Sequence, residues 1–314
     1  MLSQDQIDRF DAQGYVVVEN VADGAALQAV RDEYADLLDQ LYAGWHKEGL
    51  VKAAPDGLGF WEKLDQCYKA GFDWYQPFDI SLPHSDFRQD TPMHFGPAVF
   101  DMVTHKGILD IVDQLIGPEI TSNPIQHVRI KPPQRALPKS EARAHITQTD
   151  WHQDLGVTLE EADDTRFVTV WLAIPDATVE NGCLQVAPAQ ARMLPHCSKT
   201  QVGIADAFIP KSEAVPAPVK AGGVVIFHPL TPHASLPNES DEYRWSFDLR
   251  YNVTGQPTGR SHFPEFVARS RSDPASEMRD WREWRALWEE TRAHLASAPH
   301  IAQHRWNNDA PYCA

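Results

Sequence analysis

The sequence of 314 residues is poor in three features, each of which would have indicated a different class of protein. It has no run of about eighteen apolar residues, and its first residues lack the basic and apolar regions of a secretory signal, so we predict a cytoplasmic protein without a membrane span. Basic residues are also scarce: 28 Lys and Arg against 44 Asp and Glu give a formal charge of −16. Nucleic acids and anionic membranes select basic surfaces, so we expect a small-molecule substrate as the partner.

Cysteine is the third scarce feature. The four cysteines show neither the CxxC spacing of a zinc site nor the density of a disulfide framework. We therefore predict that all four are reduced and structural: Cys67, Cys183, Cys197 and Cys313.

What the sequence does contain is a change of pattern near residue 119. Helical periodicity dominates before it, with Ser3 and Asp23 as expected N-caps and Gly14 as an expected helix end. After it, short β-branched or aromatic segments alternate with Pro, Gly and Asn, which is typical of an all-β core. We predict one domain, 1–314, that is mainly β with flanking helices. It has a helical N-terminal layer (1–118), a double-stranded β-helix (jelly roll, cupin-like) core (about 119–255) and a C-terminal helical extension (256–314).

Two segments are rich in aromatic residues. The stretch from Phe60 to Phe78 lacks periodicity, and we predict that it is a lid over the open side of the barrel, with packing of a helical layer onto the sheet as the alternative. Near the C-terminus, four apolar residues recur on one face of a predicted helix that begins at Asp273 and Pro274. That face indicates a docking surface or a homodimer contact: Trp281, Trp284, Trp288 and Leu295.

The stretch "TQTDWHQDLGV" carries a candidate metal site. In an extended strand, His152 and Asp154 would share one face, and an imidazole beside a carboxylate suggests a metal ion. A third ligand has to come from a distant strand, and "FHPLTPHAS" offers His228 and His233. Two histidines and one carboxylate leave coordination positions open, as in non-haem Fe(II) oxygenases, whereas structural zinc prefers four protein ligands.

An arginine follows eleven residues after His233. Arg244 begins an alternating strand in which Arg244, Ser246 and Asp248 share one face. A buried arginine is costly without an anion, and its fork suits the distal carboxylate of 2-oxoglutarate. In an extended strand, His228 and His233 would point to opposite faces, so we interpret His228 as a structural histidine.

Together these residues resemble a known family. "WHQD", "NGCLQVAP", "GGVVIFHPLTPHAS", "PNES" and "YRWSF", with the opening "FDAQGYVVVEN", look like the phytanoyl-CoA dioxygenase family of Fe(II)- and 2-oxoglutarate-dependent oxygenases, over roughly Gln4 to Tyr251. The resemblance implies that iron is bound by His152, Asp154 and His233. It further implies that Arg244 and Ser235 hold the far carboxylate of 2-oxoglutarate.

The resemblance also extends to weaker positions. Trp171 stands where the family places a residue against the cosubstrate, and Thr169 shares its strand face. Lys131 matches a cosubstrate contact before the HxD, at a spacing shifted by the intervening "PPQRALPKSEARAHI". The segment "AQARMLPHC" departs from the family pattern, so His196 has no secure counterpart. Both this segment and the C-terminal Trp helix are alternative pocket walls.

Asp154 also bears on the reaction that the resemblance implies. Related halogenases have a small residue at this position, so the presence of Asp154 favours hydroxylation. The reaction would use Fe(II), 2-oxoglutarate and O2, with ascorbate as an optional reductant. Desaturation, epimerisation and cyclisation remain alternatives, as do a non-catalytic cupin-like binding module and a zinc hydrolase. The substrate is left open. Three arginines upstream could meet an acidic substrate or be surface charge: Arg129, Arg135 and Arg143.

Overall fold

The computed structural model describes residues 1–72, 74–83, 87–134, 149–198, 201–298 and 301–313. Its α-helices are α1 (Gln4–Gln13), α2 (Gly24–Lys47), α3 (Phe60–Ala70), α4 (Pro97–Val103), α5 (Lys106–Ile116) and α6 (Trp281–Leu295). None of the helices in these ranges is long and apolar enough to cross a membrane.

The helix ends follow from local chemistry, as the sequence predicts. The Ser3 hydroxyl accepts from the backbone N–H of Gln6, and the Gln6 side chain accepts in return from Ser3, which forms a capping box. Asp23 accepts two backbone N–H groups at the start of α2. Gly14 ends α1 with φ +78°, and a Cβ there would lie 2.2 Å from that of Ala189. Both the conformation and the close contact therefore require glycine.

The strands are mostly short. They are β1 (Tyr15–Val18), β2 (Ile120–Ser122), β3 (His127–Lys131), β4 (Phe167–Ala173), β5 (Leu184–Val186), β6 (His196–Ser198), β7 (Val202–Ile204), β8 (Val215–Ala217), β9 (Val224–Phe227), β10 (His233–Ser235), β11 (Arg244–Val253) and β12 (Phe266–Arg269). Within the described ranges they form a seven-stranded sheet in the order β1-β9-β4-β11-β2-β12, with β3 also on β11, and a three-stranded sheet β10-β5-β8. A separate hairpin pairs β6 with β7. All pairings are antiparallel.

The large sheet has two different faces, because successive side chains of a strand alternate. Val168, Val170 and Leu172 of β4 belong to the main core beneath the helices. Trp171 and Ala173 belong to a second, smaller core that they share with the strands of the small sheet. The predicted double-stranded β-helix core with flanking helices is confirmed by this arrangement and by the likeness to solved structures given below.

The aromatic segment is part of the core. Phe60 begins helix α3, which the sequence pattern missed, and Trp74 and Phe78 are fully buried in the main core. The Tyr75 hydroxyl donates to the carbonyl oxygen of Val128 on β3. The predicted lid is therefore wrong: these rings attach the helical layer to the sheet, which was the alternative, and no described residue of this segment lines the cavity described below.

Two further expectations concern the C-terminal part. Helix α6 starts at Trp281 after the cap Asp280, while Pro274–Ser276 forms only a short 3₁₀ turn, so the predicted helix start at Asp273 is wrong. Trp284 and Trp288 are buried against Phe95 and Phe263 of the same chain, which makes the tryptophan face an intramolecular docking surface. A homodimer stays a prediction, but these two rings are covered within one chain.

The cysteine prediction holds for two residues and is wrong for the other two. Cys67 and Cys183 are free and buried, and burial raises the pKa of both thiols, that of Cys67 to about 12 and that of Cys183 to about 11. Cys197 and Cys313 form a disulfide across a sequence separation of 116. It attaches the C-terminal segment 301–313 to β6. Such a pairing is decided by proximity in the fold, and no spacing rule could have indicated it.

Candidate metal centre

The three predicted metal ligands converge at one place. His152 forms an isolated antiparallel bridge with His233, in which each backbone nitrogen lies 3.0 Å from the carbonyl oxygen of the other residue. Asp154 begins a 3₁₀ turn, Asp154–Val157, so the predicted extended strand through both residues is wrong. The side chains nevertheless meet: one ligand atom of each residue lies within 4.8 Å of the other two, and His152 Nε2 is 3.6 Å from Asp154 Oδ1. This group could hold a metal ion.

Both imidazoles are oriented by the backbone. Nδ1 of His152 lies 2.8 Å from the carbonyl oxygen of Asp150, and Nδ1 of His233 lies 3.0 Å from that of Thr231. A carbonyl oxygen only accepts, so each Nδ1 carries a proton, and Nε2 is the nitrogen of each ring that is left to bind a metal. Burial and the neighbouring His233 lower the pKa of His152 to about 3, which keeps it neutral and able to bind a metal.

Asp154 is held by two residues from the large sheet. The Thr169 hydroxyl donates to Oδ2, and Arg250 Nη2 lies 2.5 Å from Oδ1. Thr169 and Arg250 are directly paired across β4 and β11, and Arg250 Nε donates to the Thr169 hydroxyl at 3.3 Å. Burial opposes ionisation, but Arg250 and the histidines outweigh it and the pKa of Asp154 lies below its usual value. The sequence analysis missed Arg250. Its side chain lies on the same face of the alternating strand as that of Arg244, and this was the available signal.

The predicted cosubstrate arginine has no counterion among the described residues. Arg244 is 1% exposed, donates to the Ser246 hydroxyl at 2.6 Å and lies 5.2 Å from the centre of the Trp171 ring. Its Nε has no hydrogen-bond partner, and no carboxylate among the described residues is within ion-pair distance. Burial lowers its pKa to about 10, so it remains charged at neutral pH.

Lys131 and Ser235 complete this end of the site. Lys131 pairs directly with Arg244 across β3 and β11, and its Nζ donates to the Ser235 hydroxyl at 2.7 Å and to the Leu236 carbonyl at 2.5 Å. The Ser235 oxygen also accepts from the Thr149 N–H at 2.9 Å. Burial, with Arg244 and Arg129 nearby, lowers the pKa of Lys131 to about 6. The structure thus brings together three of the predicted cosubstrate residues, including the one with the weakest sequence match.

These groups line one cavity with a volume of about 220 Å³. Among the described residues, its lining includes Ile125, His127, Arg129, Thr149, His152, Asp154, Val157, Thr169, Trp171, Leu184, Ser198, Gln201, Val202, Phe227, His233, Ser235, Arg244, Asp248, Arg250, Arg260, Gln303 and His304. Neither alternative wall named from the sequence lines the described part of the cavity itself. Ser198, Gln201 and Val202 line it just after the segment "AQARMLPHC", and Gln303 and His304 line it beyond the end of helix α6.

Several other residues named from the sequence have structural partners where the structure describes them. Arg129 pairs with Asp248 at 2.6 Å, whereas Arg135 and Arg143 are outside the described residues. His228 accepts from the Leu230 N–H at 3.1 Å, in line with a structural role. His196 accepts from the Gln153 N–H at 3.1 Å and stacks on Trp306, so it supports the ligand loop.

Comparison with known proteins identifies the family. A model of the phytanoyl-CoA dioxygenase family matches residues 10–246. The chain belongs to the phytanoyl-CoA dioxygenase family. The resemblance seen in the sequence and the predicted enzyme class, an Fe(II)- and 2-oxoglutarate-dependent oxygenase, are thereby confirmed.

Individual relatives are distant. A probable phytanoyl-CoA dioxygenase of Caenorhabditis elegans is 24% identical over 270 residues, which is 80% of this chain and 75% of the relative. The solved structure of the non-heme monooxygenase ThoJ is 20% identical, covers 92% of this chain and 97% of its own, and has a TM-score of 0.57. The epimerase SnoN, solved with Fe3+, alpha ketoglutarate and nogalamycin RO, is 19% identical, with 82% and 86% covered and a TM-score of 0.52. These structures show that the fold is shared.

Proposed function

We propose that the protein hydroxylates a C–H bond of a small-molecule substrate, with Fe(II) held by His152, Asp154 and His233 and with 2-oxoglutarate as cosubstrate. The observation that carries the proposal is that one cavity contains both this ligand group and Arg244, a buried cation without a carboxylate partner among the described residues. A bare metal site, such as that of a zinc hydrolase, gives no reason for that arginine.

The residues present fit both groups. Two imidazoles and an ionised carboxylate are suitable donors for Fe(II), and three protein ligands leave positions for other molecules. At the far end, Arg244, Lys131 and Ser235 offer donors to a carboxylate, which also supplies the missing counterion. Trp171 lies beside Arg244 and is a wall for the cosubstrate. Thr169 was predicted as a cosubstrate contact, but its hydroxyl bonds to Asp154, and we assign it to orienting that ligand.

Each protein group then has a definite task. Bound iron with 2-oxoglutarate supplies the oxidation by O2 that releases succinate and CO2. Arg244 and Ser235 fix the cosubstrate at its distal carboxylate, and Thr169 and Arg250 keep Asp154 ionised and oriented. Apolar lining residues such as Ile125, Leu184 and Phe227 keep water from the substrate.

Hydroxylation is favoured over epimerisation by the lining. An epimerase has to return a hydrogen atom to the opposite face of the substrate carbon, and the O–H bond of tyrosine and the S–H bond of cysteine are weak enough to donate it. No tyrosine or cysteine lines the described part of the cavity, and the undescribed residues contain neither. The fold shared with the epimerase SnoN makes epimerisation the second candidate.

Anaerobic spectroscopy and product analysis test the proposal. Fe(II) and 2-oxoglutarate together should give a weak visible charge-transfer band, and O2 should convert 2-oxoglutarate to succinate. His233→Ala should remove both signals, and His228→Ala, outside the cavity lining, serves as the matched control. Absence of the band in the wild type contradicts the cosubstrate assignment. Loss of it in His228→Ala but not in His233→Ala contradicts the ligand assignment.

The cellular location is still a proposal. The sequence favours the cytoplasm, while the Cys197–Cys313 disulfide is typical of oxidising compartments and weighs against it. Fractionation combined with thiol labelling of the two cysteines distinguishes the possibilities.

A further inference from the structure

The charges that line the cavity do not balance. Among its described residues, four guanidinium groups face two carboxylates. Arg129 pairs with Asp248 and Arg250 with Asp154, at 2.6 and 2.5 Å. Arg244 is accounted for by the cosubstrate in the proposed function. One further guanidinium, that of Arg260, has no role in binding iron or 2-oxoglutarate.

Arg260 is buried and only partly satisfied. It is 4% exposed, and it donates from Nη1 to the Gln303 side chain at 2.7 Å and from Nη2 to the Val157 carbonyl at 3.0 Å. Its Nε is buried and has no hydrogen-bond partner in the part of the chain that the structure describes. A guanidinium has five N–H donors, so these two bonds leave three of them unused.

The backbone holds this side chain close to the metal ligands. Gly259 has φ +76°, and a Cβ there would lie 2.5 Å from Cβ of Thr158, so only glycine fits so near the ligand turn. The Leu159 N–H donates to the Gly259 carbonyl at 3.0 Å. Arg260 itself bonds to Val157, the last residue of the turn that Asp154 begins. The guanidinium is therefore fixed beside the reaction centre.

We propose that Arg260 binds a carboxylate of the substrate, so that the enzyme acts on small carboxylic acids. This inference rests on the proposed function and adds the substrate class to it. A buried guanidinium with unused donors is costly without an anion, and its planar fork matches a carboxylate in two hydrogen bonds. Burial lowers the pKa of Arg260 to about 9, so the charge persists at neutral pH.

The neighbouring surface indicates the rest of the acid. Val157, Val202 and Ile125 line the same cavity and offer apolar contacts to a hydrocarbon portion. The volume of about 220 Å³ has to hold the cosubstrate as well. It lies below the roughly 300–1,000 Å³ of drug-sized pockets, which favours a compact acid.

Ligand-detected NMR on protein loaded with Ni(II), which does not support turnover, and with 2-oxoglutarate tests this proposal. The probes are benzoate, cyclohexanecarboxylate and hexanoate, each compared with its primary amide. We expect the acids to bind and the amides to bind about tenfold more weakly or not at all. Arg260→Gln should lose the preference, Arg260→Lys should keep part of it, and Arg285→Gln, an exposed arginine paired with Glu289 on α6, should match the wild type.

The outcomes separate this inference from the proposed function. Equal binding of acids and amides by the wild type overturns the inference, as does an unchanged acid preference in Arg260→Gln. The wild-type comparison decides the matter even where Arg260→Gln does not fold. The visible band of the anaerobic complex with Fe(II) and 2-oxoglutarate is recorded on the same proteins. If the band is present but the acids bind no better than the amides, only the substrate class is refuted. If the band is absent in the wild type, the proposed function is refuted.

Discussion

Arg244 allows a prediction in which binding and stability change in opposite directions. Arg244→Met keeps much of the side-chain length and removes the charge. In the protein without cosubstrate, Arg244 is 1% exposed, and its Nε has no hydrogen-bond partner among the described residues. Burying such a cation costs free energy, so its removal should leave the cosubstrate-free protein as stable as the wild type or more stable.

Binding of 2-oxoglutarate should respond in the other direction. Loss of one partner of a buried, hydrogen-bonded charge pair costs about 2–5 kcal/mol. At about 1.4 kcal/mol for each factor of ten, the dissociation constant should rise by roughly 30-fold to several thousand-fold. Lys131 and Ser235 remain in the variant and favour the lower end of that range.

Two titrations measure these effects. The visible band of the anaerobic Fe(II) protein gives the affinity for 2-oxoglutarate, and thermal unfolding with and without 2-oxoglutarate gives the stabilisation by the ligand. Arg285→Met, on the exposed side of α6, is the control. A dissociation constant within about threefold of the wild type, which is below 1 kcal/mol, would refute the assignment of Arg244. A large loss of stability without cosubstrate would refute the argument about its unpaired charge.

Four other predictions concern neighbouring parts of the structure. Thr169→Val removes the hydroxyl that orients Asp154, and should weaken Fe(II) affinity by about 10- to 100-fold in a metal titration. The pKa of Lys131 is lowered to about 6, so binding of a carboxylate should draw a proton onto its amine. Because that proton becomes scarcer, the affinity for 2-oxoglutarate should fall as pH rises above 6. Lys131→Met should flatten this pH profile. Trp74→Ala should cost about 3–5 kcal/mol of unfolding free energy in denaturant titrations, with an unchanged ratio of succinate to product, because the ring is core. Cys313→Ser should lower the unfolding free energy by about 2–4 kcal/mol, and a reductant should not destabilise this variant further. An equal response of the variant and the wild type to reductant would count against the disulfide.

The sequence determined those features that depend on local chemistry. Ser3, Gly14 and Asp23 mark helix ends because capping and left-handed backbone involve only adjacent residues. Alternation along β11 predicted that Arg244 faces away from Trp245, as it does. The metal ligands were named from their order and type, although the extended strand assumed for His152 and Asp154 does not form.

The tertiary structure decided which distant groups meet. Arg250 reaches Asp154 because β11 pairs in one register with β4, and Arg260 reaches the site because Gly259 packs against the ligand turn. The stretch from Phe60 to Phe78 belongs to the core because strand β3 lies against it, and Cys197 meets Cys313 across 116 residues. These contacts depend on strand register and on which surfaces cover each other, and such long-range relations leave no periodic trace along a single sequence.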